Sequence, residues 1–155
     1  MIVATYPIVV TDKLHECRDF DVRWFELEVI FEANWIVVLS SDGEAPAAAF
    51  MHSTHPSTPP EPAPFTGDGA FLTLQVEDAA AECGRVREAG LECALELTDE
   101  PWGQRRFAAI DPAGMWVDVV EQTEPAPGWW DEYLQPATAS KGRYPRPPSA
   151  RSSAG

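Results

Sequence analysis

A chain of 155 residues with 45% apolar side chains has material for one domain, or for two small halves sharing a core. Its formal charge is −14, and of its 11 basic residues Lys141, Arg143, Arg146 and Arg151 follow Gln135, leaving seven against 25 acids in the body. A body that negative repels nucleic acid and anionic membrane, and it either serves solubility alone or favours a cationic small molecule or a basic partner. No apolar run is long enough to span a bilayer, and the N-terminus has no basic stretch leading into an apolar one, so a cytoplasmic protein is expected. Cys17, Cys83 and Cys93 have no metal-like spacing and read as reduced thiols packed as small apolar groups.

Ala4 to Val10 reads as a strand with Tyr6, Ile8 and Val10 on one face; Pro7 within it calls for an edge, a bulge or a hinge. Thr11-Asp12 can cap a helix from Lys13 to about Phe25, with Leu14, Cys17, Phe20, Trp24 and Phe25 as its apolar stripe and Asp21 close to that stripe. Leu27–Phe31 alternates with glutamates as a half-buried strand. Trp35–Leu39 reads as a buried strand, Ser40-Ser41-Asp42-Gly43 as a turn and Ala47–Met51 as a fourth strand of small residues. Five prolines between His52 and Phe65 then impose an extended connector.

The same grammar follows again. Phe71–Val76 is a strand, Glu77-Asp78 opens a helix over Ala79–Ala89, and Gly90 stops it. Leu91–Leu97 is a strand. Pro101-Trp102-Gly103 is a tight loop, Arg106–Ile110 a buried strand, and Asp111-Pro112-Ala113-Gly114 a turn built from Asx bonding, a preset proline φ and glycine. Met115–Glu121 alternates, with Trp116, Asp118 and Val120 on one face and Val117, Val119 and Glu121 on the other. The expected organisation is a first βαβββ module over 1–51, a proline-rich linker over 52–69 and a second βαβββ module over 70–122. An aromatic segment over 123–135, where Trp129, Trp130, Tyr133 and Leu134 form one apolar helical turn, precedes a disordered basic tail over 136–155.

From residue 4 to 121 the chain resembles the vicinal oxygen chelate superfamily, which holds glyoxalase I, the extradiol dioxygenases and the bleomycin-resistance proteins. The paired βαβββ order carries the resemblance, with Thr11-Asp12 and Phe20, Val76-Glu77-Asp78 and Ala89-Gly90. Its most specific part is Pro101-Trp102-Gly103-Gln104-Arg105 followed by Asp111-Pro112-Ala113-Gly114, which looks most like the bleomycin-resistance branch. Asp21 stands where the family usually has an aromatic residue, and Glu26 where it often has glycine. The resemblance implies an α+β fold in which the paired modules form a curved mixed sheet with helices outside. It also implies a homodimer, in some members built by exchange of the first strand.

Enzymes of this family hold a divalent metal on His or Glu/Gln of the first and last strands of each half, because the metal must polarise a substrate oxygen from several fixed ligands. The matching strands here offer Tyr6, Ile8 and Val10; Phe50 and Met51; Ala70, Phe71 and Thr73; and only Glu121 as a family ligand. One carboxylate is too few, so no metal, no cofactor and no catalytic residue is assigned. His52 and His55 sit in the proline-rich connector and read as solvent-exposed loop histidines, and His15 as part of a solvated helix face. The expected site is aromatic and acidic: Trp102 as a stacking surface, Trp35, Phe50, Phe107 and Trp116 as walls, and Glu121 as a carboxylate for a cationic group. For Trp35, Phe50, Phe107 and Trp116 the competing role is core packing, and Arg105 is expected to brace the Trp102 loop by pairing with Asp99, Glu100 or Asp111. The functional expectation is metal-independent binding of a drug-like aromatic or cationic small molecule. The alternatives are a metal-dependent lyase or dioxygenase and a metal-free isomerase of the same fold using Glu121, and an interaction protein working through Trp129, Trp130 and the tail.

Overall fold

In the computed structural model, which describes residues 1–56 and 63–134, the chain forms two four-stranded sheets, each backed by one helix. The first half runs β1 (Ile8–Val10), α1 (Leu14–Phe25), β2 (Glu28–Ala33), β3 (Ile36–Ser40) and β4 (Pro46–Met51). The second runs β5 (Phe71–Gln75), α2 (Ala79–Glu88), β6 (Leu95–Glu100), β7 (Gln104–Ile110) and β8 (Trp116–Gln122), followed by a 3₁₀ turn at Trp129–Glu132. Strand order is β1-β4-β3-β2 in one sheet and β5-β8-β7-β6 in the other, so the two halves repeat one topology. In each, the strand before the helix pairs in parallel with the last strand of its half, and the other pairs are antiparallel. The α+β fold of paired βαβββ modules is therefore present. No helix among the described residues is long and apolar enough to cross a membrane.

Two element boundaries differ most from the sequence reading, for identifiable reasons. The first strand begins at Ile8 rather than Ala4: Pro7 contributes only its carbonyl, which accepts the Ala49 N–H at 3.0 Å, and a proline has no N–H to extend the ladder. The strand expected over Leu91–Leu97 is shifted to Leu95–Glu100. The Leu91 N–H still bonds the Val86 carbonyl in the helix stop, and pairing with β7 starts at Ala94 N–H to Ala108 O, 2.8 Å. The tail over 136–155 and the middle of the proline linker lie outside the described residues.

Each helix closes the inner face of its own sheet, and the two halves share packing. Val9, Leu14, Cys17, Leu27, Val37, Leu39 and Phe50 form the first core, which Met115 of the second half completes. Cys83, Val86, Phe107 and Val119 form the second, against which Trp24 and Phe25 from the end of α1 pack. Burying these groups supplies the main driving force for folding, at ~25 cal/mol per Å² of apolar surface. The junction between the halves also holds Asp21, on the inner face of α1 with no exposure and with both carboxylate oxygens lacking a hydrogen-bond partner. Glu26 ends α1 in the left-handed region at φ 57°, a conformation that disfavours a side chain and suits glycine.

Candidate functional site

The strand alternation that builds the second core also sorts the chemistry of β8. Val119 pairs with Phe107 and faces α2, so Asp118 and Val120 face the other way, together with their β7 partners Ala108 and Arg106. The outer face of the second sheet thus carries three zones. Phe71, Trp116 and Ile110 lie side by side across three strands at one end. Arg106, Asp118 and Glu100 occupy the middle. Gln104 and Gln122 face each other at the far end, where the Gln122 carboxamide donates to Gln75 Oε1 at 3.1 Å.

Arg106 is the centre. Its Nε donates to Glu100 Oε1 at 2.8 Å, its Nη1 to Asp118 Oδ1 at 3.2 Å, and its Cζ lies 5.5 Å from the centre of the Trp102 ring. Side-chain exposure is 24% for Arg106, 14% for Glu100 and 6% for Asp118, so the ion pairs are largely shielded from water. Burial pushes the Asp118 carboxyl above its ordinary pKa, and the Arg106 charge and hydrogen bond oppose that shift. Burial likewise works against the Arg106 charge, but the Glu100 hydrogen bond and the Asp118 charge outweigh it and the guanidinium titrates above its usual range.

The loop that presents Trp102 is fixed on every side. Its indole N–H donates to Gln104 Oε1 at 2.7 Å. The Trp102 carbonyl accepts the Trp130 indole N–H at 2.9 Å, and the Thr123 N–H donates to Gly103 O at 2.9 Å. Gly103 has φ +100°, and a Cβ there would stand 2.9 Å from the Thr123 carbonyl, so only glycine fits. Trp129 lies 5.8 Å from Trp102 between ring centres and 4.7 Å from both Trp130 and Tyr133. The aromatic segment expected to dock as one helical turn does so, on this loop.

Of the residues singled out from sequence, Trp102 and Trp116 share this face, at its opposite ends. Phe107 is fully buried beneath the sheet against α2. Phe50 belongs to the first core with 1% exposure and lines a separate apolar cleft of about 280 Å³, together with Ile8, Phe65, Phe71 and Met115. Trp35 sits in the turn between β2 and β3, beside His52 and far from Trp102 in the strand order. Glu121 is on the helix side of β8: its Oε2 accepts the Ala79 N–H at 3.1 Å and helps cap α2, next to the Asp78 cap. The carboxylates of the aromatic face are Asp118 and Glu100, and Glu121 is not among them. Arg105, on that same helix side, pairs with Asp99 at 2.6 Å.

The divalent metal that enzymes of the resembled family carry does not fit this face. Its two carboxylates already share one guanidinium, and no group of three or more His, Cys, Asp or Glu side chains among the described residues is placed to hold a metal ion. His52 turns its Nδ1 to Thr54 Oγ1 at 2.8 Å and its Nε2 towards Asp12 at 3.7 Å.

Three solved structures share the architecture at low identity. TioX from Micromonospora sp. ML1 aligns with a TM-score of 0.64 at 17% identity over 78% of this chain and 99% of its own. Lactoylglutathione lyase from Agrobacterium tumefaciens aligns at 0.62 and 18% over 78% and 95%. A glyoxalase/bleomycin resistance protein/dioxygenase superfamily member from Sphaerobacter thermophilus DSM 20745 aligns at 0.59 and 20% over 79% and 98%. Comparison with curated protein sequences finds no match. The family model of the glyoxalase/bleomycin resistance protein/dioxygenase superfamily matches residues 6–119, most of the chain, and the protein belongs to that superfamily.

Proposed function

We propose that the protein binds a planar aromatic or cationic small molecule on the Trp102–Arg106 face, without a metal, and acts by stoichiometric capture in the manner of drug-sequestering members of the fold. The observation that carries this reading is the ion centre itself: two shielded carboxylates and one guanidinium under an indole, leaving an excess of negative charge beside aromatic surface. Such a surface holds a ligand by stacking and charge pairing, and its residues perform no proton or group transfer. A body charge of seven basic against 25 acidic residues adds long-range attraction for cations.

We infer further that the protein works as a homodimer. Phe71 and Ile110 are 63% and 52% exposed and flank Trp116 in one row, and Ile8 at the neighbouring edge is 44% exposed; a second copy would cover them.

Titration of the protein with proflavine and with bleomycin, followed by tryptophan fluorescence, tests the binding reading. Saturable quenching at one ligand per chain is expected, weakened at least about 5-fold in Trp102→Ala. No quenching by either compound in folded protein, or a stoichiometric transition metal in the purified protein by elemental analysis, would refute it.

A further inference from the structure

Resting on the capture reading just given, we propose that the head group the site selects is a planar cation of the amidinium or guanidinium type, and that Arg106 is the residue it must replace. The argument is geometric. A guanidinium is a flat cation with N–H groups directed outward in its plane. Here one is gripped by a carboxylate from β6, a carboxylate from β8 and the ring of Trp102. The protein has thus already built the complement of a planar cation and filled it with its own side chain.

Three features make this an exchangeable occupant. Arg106 reaches the site from β7 on a flexible stem and remains 24% exposed, so it can swing outward without unpacking the core beneath, where Phe107 and Val119 are closed off. Two carboxylates facing one cation leave a net negative charge, so an incoming cation is attracted while Arg106 is still in place. Trp129 already packs against Trp102, 5.8 Å between ring centres, and Arg106 covers the indole 5.5 Å from its centre, so departure of Arg106 opens ring surface over which a ligand can lie. An intramolecular competitor is present at high effective concentration, which keeps wild-type affinity for small cations low.

Isothermal titration with benzamidine, an aromatic amidinium, and with benzamide, its neutral isostere, tests the exchange in wild type, Arg106→Gln and Arg106→Lys. Removing the internal guanidinium in Arg106→Gln should raise benzamidine affinity about 10-fold or more and leave benzamide unchanged. Arg106→Lys, which keeps a charge but loses the planar fork, should give a rise of about 3-fold and stands as the test if Arg106→Gln fails to fold. Unchanged or weaker benzamidine binding in the folded variant, or an equal gain for benzamide, overturns the proposal. Proflavine capture by wild type separates the two levels. If proflavine binds and benzamidine gains nothing from the substitution, only the exchange fails; if neither compound binds any variant, the capture reading fails with it.

Discussion

Asp21 is the side chain that sits least comfortably in this molecule. It has no exposure and no hydrogen-bond partner; burial and, secondarily, the Asp111 charge push its pKa up to about 7. Asp111, also raised by burial, is held by the N–H groups of Ala113 and Met115 and so keeps its partners; the neighbouring Cys17 thiol is pushed up to about 12 by burial and then by the Asp111 charge. A carboxyl with a higher pKa folded than unfolded binds its proton more tightly in the native state. Its contribution is therefore most favourable below pH 4 and is lost as pH rises through about 7, a change of about 4 kcal/mol for one such group. Replacing Asp21 with Asn should leave stability at pH 4 nearly unchanged and raise it at pH 8 by about 3 kcal/mol, read from urea unfolding of both proteins at each pH. Equal stability of variant and wild type at pH 8 would show that Asp21 gains partners on ionisation.

At the scale of elements, the alternation of Met115–Glu121 is legible in the sequence, and it separates Trp116 and Asp118 from Glu121 as the β7–β8 register does. Glu121 therefore lies off the face that carries Trp116 and Asp118. The carboxylate belongs instead to the start of α2, where it accepts a free helix N–H alongside Asp78. Glu121→Ala should therefore act as loss of a helix cap, costing about 1 kcal/mol and lowering the melting temperature by about 2–4 °C, with proflavine affinity unchanged. A loss of binding at constant melting temperature would return Glu121 to the site. Arg106 was harder to find. Adjacent arginines carry no sign of which one points towards the helix, and the answer depends on the β7–β8 register that sets Arg106 opposite Val120 and Arg105 opposite Glu121. The order of elements, the Asp111–Gly114 turn and the docking aromatic segment were legible because each rests on local chemistry. The ion centre draws on three strands and a loop, and only tertiary pairing assembles it.

At the scale of the whole molecule, the proposed homodimer rests on exposed Phe71 and Ile110, which flank half-buried Trp116. Sedimentation or light scattering should give twice the chain mass at micromolar concentration, and Phe71→Glu should shift the population to single chains while circular dichroism stays unchanged. A wild-type protein that is monomeric at those concentrations would exclude the dimer.

The two halves repeat a topology but not a chemistry. On the first sheet the face away from α1 carries Ile36, Val38 and Ala49, all buried and apolar, where the second sheet carries an arginine and two acids. The repeated topology gives the chain two equivalent platforms, and only the second is charged. On the capture reading proposed above, the charged face gives each chain one place for a cationic ligand. Saturation at one ligand per chain follows from that divergence. So does freedom for the first half to change its outer residues under packing constraints alone, while the second must keep its charges matched.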